Sequence, residues 1–328
     1  MSRAFARGSW RFGLAALALL STPVLGSSAV AQDAYKSSAS FGVASLDREL
    51  ERQLALIASE TAGKVGIFAT EIGGTRQAAL NRDHAFPMAS TMKIAVAAAY
   101  LQGVDEGRLA LDSTYALRIG TGKTGPDGRV ITREGLSLTA QSLIELMITR
   151  SDNQATDALL EAVGGPAAVN RWLASAGITG QRVDRNIATL LRDDLEKNDP
   201  SLGIDKRDSS TPAAMAQLLS ALHRGDVLSA KSRGVLLGAM SRCQTGKTRI
   251  PALLPAGTLV AHKTGTLWSQ TSDVGIIRLP DGRSVALAVF VTGPGSHAAR
   301  NRQIAAIARA VYDNFSGGGY EASQVVRR

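Results

Sequence analysis

With 328 residues, 45 % of them apolar and 20 % charged, the chain is long enough for one large domain or two subdomains on a shared core, and its composition excludes a disordered polypeptide. The net charge of +9 falls to about +6 once Arg3, Arg7 and Arg11 are set aside, and the remaining basic residues are scattered, which argues against nucleic-acid binding. A single cysteine rules out an intramolecular disulfide, and four separated histidines without His-x-x-x-His or Cys-x-x-Cys spacing argue against zinc, so no metal and no cofactor is expected.

Three arginines, a short apolar run over 12–20 and the small-residue pattern Ala29-Val30-Ala31 together read as a secretory signal peptide covering residues 1–31. No later stretch approaches a membrane span, so the mature chain is expected to be exported, to the periplasm or beyond, and free of stable membrane insertion. Residues 32–41 read as a flexible N-terminus and 42–315 as one catalytic domain. Leu46, Leu50, Leu54 and Ile57 recur at helical spacing, 64–72 reads as a strand, and Gly73-Gly74 turns it into a second strand over 77–81. From Ser90 to about 245 the pattern is helical, with segments at 91–103, 139–148, 154–163, 166–175 and 212–222. The turn-rich stretch from Ser113 to Glu134 reads as a surface loop or hairpin. Strands return at 258–263, 270–279 and 284–292, the last two joined at Pro280-Asp281-Gly282, and a helix closes the domain over 298–314 before a frayed tail at 316–328. The expectation is an α/β (α+β) protein: an antiparallel sheet built from both termini and flanked by helices, with an all-helical subdomain inserted at about 90–245.

Three short motifs stand at structural junctions. Ser90-Thr91-Met92-Lys93 heads an Ala-rich helix, so a side chain three residues on shares the face of Ser90, and a lysine made neutral by burial would serve the serine as a base. Ser151-Asp152-Asn153 lies between two helical segments, where a hydroxyl can relay a proton and an amide can hold a substrate amide. Lys263-Thr264-Gly265, extended by Thr266, ends a strand; its side chains offer donors to a carboxylate, its glycine allows close approach, and the backbone N–H groups of Ser90 and Thr266 could form an oxyanion hole. Each motif alone is also a common helix cap or strand end. Cys243 reads as a packed thiol.

Taken together and in this order, the motifs resemble those of class A serine β-lactamases, over roughly residues 42–315. Arg207-Asp208, Thr211 to Met215, Leu254 to Gly257 and Arg300 to Ile304 extend the resemblance. It implies acylation of Ser90 with Lys93 assisting proton transfer, Ser151 protonating the β-lactam nitrogen, Asn153 binding the substrate amide, and Lys263, Thr264 and Thr266 binding its carboxylate beside Gly265. It makes Arg249 the candidate carboxylate-binding arginine, because the strand after the Lys-Thr-Gly motif carries none. The implied activity is β-lactam hydrolysis by a monomer, with β-lactam antibiotics as substrate and resistance as the outcome.

One departure bears on turnover. Class A enzymes carry a Glu-x-x-x-Asn element in the loop before Arg207-Asp208 that activates water. Here Asp184-Arg185 resembles the start of that loop, with Arg185 placed to pair with Asp208, but no glutamate follows at the expected place. Asp194 or Glu196, near Asn198, is the nearest substitute, or the base is absent. Two other readings therefore stay open: a D-Ala-D-Ala peptidase or slowly deacylating penicillin-binding relative, and a catalytically silent binding protein. A Ser-His-Asp hydrolase fits poorly, since no Gly-x-Ser-x-Gly surrounds Ser90.

Overall fold

A computed structural model of the chain describes residues 47–124, 130–197 and 205–317. The leader expected at 1–31 and most of the frayed tail fall outside these residues.

The first helix, α1 (47–58), precedes strands β1 (Val65–Glu71) and β2 (Gln77–Leu80), and the chain returns to the same sheet only with β7 (Val260–Leu267), β8 (Gln270–Arg278) and β9 (Ser284–Thr292). The strand order is β2-β1-β9-β8-β7 and all neighbours are antiparallel. Both ends of the chain thus build one sheet, with β7 on its edge.

Alternation along the strands divides the core in two. Ile67, Leu287, Val289 and Val291 meet Leu50 and Leu54 of α1 and Ile304, Ile307, Val311 and Phe315 of the closing helix α9 (His297–Phe315). Phe68, Ala286, Ala288 and Phe290 point the other way, into the larger cluster shared with the inserted region. Covered on both faces, β9 is buried at every position, which is why it reads as a continuous apolar run.

The inserted region holds α2 (Lys93–Asp105), α3 (Ala140–Thr149), α4 (Asn153–Ala162), α5 (Gly165–Ser175), α6 (Ile187–Lys197), α7 (Pro212–Arg224) and α8 (Ala230–Ser241). Almost every residue of α2 is buried, so this helix is the axis around which the others pack. The region is not purely helical. The 113–134 stretch forms a long antiparallel hairpin, β4 (Thr114–Thr124) with β5 (Val130–Thr139), and a short bridge pairs β3 (Phe86–Pro87) with β6 (Ser209–Ser210). Two helices depart from the sequence reading. The apolar pattern does not mark α8, which Ser229 caps by accepting the Ser232 N–H, and it assigns 187–197 to a loop where the chain is helical.

Candidate active site

The chain enters the site through the β3–β6 bridge, whose continuation is a hydrogen bond from Met88 N to Asp208 O (2.9 Å). Ala89 then takes φ +49°, a left-handed conformation that costs a non-glycine residue free energy, and opens a 3-10 turn over Ala89–Met92 leading into α2. Thr91 Oγ1 donates to Met88 O at 2.8 Å and locks the turn. Half-buried Ser90 is thereby presented at the head of α2.

Lys93 occupies the first position of α2 and is fully buried. Burial, reinforced by the charge of Lys263 and opposed by Asp152 and Asp157, depresses its pKa to about 6, so at neutral pH it is largely an uncharged amine. Its Nζ lies 2.7 Å from both Ser151 O and Asn153 Oδ1, 3.2 Å from Ser151 Oγ and 3.4 Å from Asp152 O. The expected reach to Ser90 is not made as a hydrogen bond among the described residues; the amine turns to the acceptors that converge at the 151–153 corner. That corner is itself strained. Ser151 adopts φ +60°, while Asp152 caps α4 by accepting the Ala155 N–H at 2.7 Å.

Lys263 approaches the same hydroxyl from the sheet, donating to Ser151 Oγ at 3.0 Å and to Thr264 O at 2.9 Å. It lies within β7 rather than at its end, and burial lowers its pKa to about 8. Ser151 Oγ therefore sits between two buried amines, each more easily deprotonated than a free lysine.

The rest of the Lys-Thr-Gly strand is held from behind. A Cβ on Gly265 would come within 2.5 Å of Met88 O and of Ser272 Oγ and 3.1 Å of Ala89 Cβ, so glycine is required for β7 to pack against the Ser90 turn. The close approach anticipated for substrate is made by the protein's own backbone. Thr264 Oγ1 shares a 2.6 Å hydrogen bond with Thr245 Oγ1, and exposed Thr266 accepts Arg249 Nη2 at 2.7 Å. Arg249 is buried, not a surface residue. Its guanidinium also donates to Gly265 O, Ser272 O and Asn301 Oδ1, so it props the strand directly behind Thr266. Exposed Trp268 stands at the end of this strand.

Beneath lies a pair that the motifs did not flag. His262 Nδ1 is 2.9 Å from Asp273 Oδ1, and although burial opposes protonation, the Asp273 carboxylate raises the imidazole pKa to about 10. Half-buried Cys243 joins this pair: burial pushes its thiol up, but His262 outweighs that and holds it below its ordinary value.

The segment after Asp184 forms α6 where a loop was expected. Asn186 Oδ1 accepts the Thr189 N–H at 2.9 Å as a cap, and Ile187 and Leu190 face inward. Arg185 does pair with Asp208: Nε donates to Oδ2 at 2.5 Å, while Oδ1 accepts the backbone N–H groups of Asp184 and Arg185. Ile187, buried, is the residue that the first turn of α6 brings inward. Asp194 and Glu196 lie near the far end of α6, with side chains outside the described residues, as is Asn198. A carboxylate that no motif marked is close by: Asp157, one turn after Asn153 on α4, accepts Ile187 N at 2.7 Å and Ala188 N at 3.1 Å. Its spacing of four from Asn153 was the available signal.

The family model described as the β-lactamase enzyme family matches residues 49–315. The extended-spectrum β-lactamase PER-1 of Pseudomonas aeruginosa is 33 % identical over 243 residues, which cover 71 % of this chain and 76 % of the relative. Among solved structures, a β-lactamase from Chitinophaga pinensis DSM 2588 is similar with a TM-score of 0.72 at 30 % identity, over 81 % of this chain and 98 % of that one. An ancestral (GNCA) class A β-lactamase gives 0.70 at 35 % identity, over 80 % and 98 %. With the serine turn, the 151–153 corner and the lysine-bearing edge strand assembled in one place, the chain belongs to the β-lactamase enzyme family, as a class A serine hydrolase.

Proposed function

We propose that Ser90 attacks the β-lactam carbonyl and is acylated, with neutral Lys93 taking the serine proton and Ser151 passing a proton to the departing lactam nitrogen. The observation that carries this assignment is Ser151 Oγ held between Lys93 and Lys263, two buried amines with depressed pKa values. An uncharged Lys93 has two N–H donors and one lone pair. The 2.7 Å contacts to Ser151 O and Asn153 Oδ1 use the donors, leaving the lone pair for a proton. Lys263, beside the substrate, supplies positive charge for its carboxylate, aided by Thr264 and Thr266.

Arg249 serves this carboxylate indirectly, by orienting Thr266 and adding a buried positive charge behind it. Asn153 has its oxygen committed to Lys93, which turns its NH2 toward a substrate amide oxygen. The N–H groups of Ser90 and of the edge strand at Thr266 receive the oxyanion. The steps draw on side chains and backbone alone, and a monomer suffices for them. Export fits the same reading: residues 1–31 act as the leader, and no helix among the described residues is long and apolar enough to cross a membrane.

A second reading keeps the same acylation chemistry but makes deacylation slow. It is favoured by one observation, the apolar Ile187 at the first turn of α6 where the resemblance implies a glutamate nearby. Mixing the protein with a chromogenic cephalosporin, while following colour and intact mass, separates the two. Sustained turnover that Ser90→Ala abolishes, a loss of at least about a thousandfold, is expected for the β-lactamase. One equivalent of colour with a lasting adduct identifies the slow relative, and neither colour nor adduct overturns the acyl-enzyme assignment.

A further inference from the structure

We infer that Asp157 is the general base that delivers water to the acylated Ser90, in place of the glutamate that the resemblance leads one to expect just after Asp184-Arg185. The inference rests on the acyl-enzyme reading above and supplies its second half.

Placement comes first. Asn153 and Asp157 are four apart on α4 and share a face, and Asn153 already touches Lys93 Nζ. Two carboxylates act on the charge of Lys93, those of Asp152 and Asp157. Asp152 is committed to capping α4, whereas Asp157 stands beyond direct ion-pair distance of Lys93 and still feels its charge. At 1.5 Å per residue, the backbone positions of Asp194 and Glu196 fall roughly 10 and 14 Å along α6 from Ile187, the residue whose N–H is bound to Asp157.

Orientation and basicity follow. The Ile187 and Ala188 N–H groups each hold one carboxylate oxygen, fixing the group at the N-terminus of α6 while leaving each oxygen a further lone pair. Burial outweighs these donors and the charge of Lys93, so the carboxyl titrates above its ordinary range, which makes it a better proton acceptor than a solvated aspartate. Lys93 is the one charged side chain acting on it among the described residues.

In the step, a water oxygen bonds to the ester carbonyl carbon while its proton passes to Asp157. Asp157 passes that proton to neutral Lys93, and collapse of the tetrahedral intermediate breaks the bond to Ser90 Oγ, which takes the proton from Lys93. Free serine and the open-ring acid result, with no other reactant.

The test follows intact mass and turnover of the full protein with a chromogenic cephalosporin, comparing wild type, Asp157→Asn and Asp157→Glu. Asparagine keeps an acceptor oxygen for one of the two α6 N–H groups but cannot take a proton. Wild type is expected to turn over. D157N is expected to gain one adduct at close to the normal rate and hold it, with deacylation about a hundred- to ten-thousand-fold slower. D157E should recover part of the rate, and the solvent deuterium isotope effect on deacylation should vanish in D157N, a change that a purely structural role for Asp157 would not produce. D157N that deacylates like wild type overturns the assignment, as does a wild type that keeps its adduct, or a stall that appears in D194N or E196Q and not in D157N. Should D157N fail to fold, the acid limb of deacylation decides: a limb shifted in D157E upholds the role and an unshifted one overturns it. A wild type that forms no adduct overturns the acyl-enzyme reading, and this assignment with it.

Discussion

At the junction of α2 and β7, buried basic side chains stand without carboxylate partners. At the base of the 184–208 segment, buried charge is paired. Lys93, Lys263 and Arg249 form no ion pair among the described residues, and burial pushes all three pKa values down. Arg185, in contrast, meets Asp208 at 2.5 Å and Asp193 at 2.8 Å, and its pKa is raised. The difference separates two uses of buried charge. An unpartnered amine is expensive to charge and therefore available as a base; a partnered guanidinium is chemically silent and holds the chain in place.

Three substitutions would sharpen or break that contrast. Lys93→Met should lower acylation by about a hundred- to ten-thousand-fold, while its melting temperature holds or rises, because a desolvated amine is replaced by an apolar chain of similar length. In the unsubstituted protein, acylation should fall as pH drops below about 6, since protonation of Lys93 removes the base; a flat profile down to pH 5 would sink its assignment. Asp208→Ala should do the reverse. Removing a buried carboxylate that holds Arg185 and two backbone N–H groups should cost about 3 kcal/mol, read as a lower midpoint in chemical denaturation. Any protein that remains folded should still be acylated at Ser90. Gly265→Ala should fall between the two in kind and be the smallest in stability, about 1–3 kcal/mol, because the new methyl meets Met88 O and must displace β7 from the serine turn. Its acylation rate should drop with its stability, which neither other variant is expected to show.

The same contrast governs what could be read from the sequence. Ser90, Lys93, Ser151 and Lys263 announced themselves because each belongs to a short contiguous motif, and Lys93 and Lys263 do converge on Ser151 Oγ. The strands and their turns were legible from alternation and from Gly73-Gly74 and Pro280-Asp281-Gly282, and so was the Arg185–Asp208 pair. The helix α6 was hidden. Its Asn186 cap and the spacing of Ile187, Leu190 and Leu191 signal a helix, but the resemblance to a loop outweighed them. Arg249, His262 and Asp157 were ambiguous for a different reason. Burial decides their chemistry, and burial arises from packing between distant segments that no local pattern reports.

The arrangement of the sheet sets a condition on how the protein comes into being. β1 lies between β2 and β9, and the edge strand carrying Lys263 joins only through β8. Ser90 is made early and its partners on β7 late, so the pocket is built from long-range contacts of the kind that slow folding. Until residue 292 has been added, β1 offers an unpaired apolar edge with nothing to close it. A product ended before β9 is complete therefore lacks a closed sheet and is prone to aggregate, and a functioning molecule appears only once nearly the whole chain is available to fold.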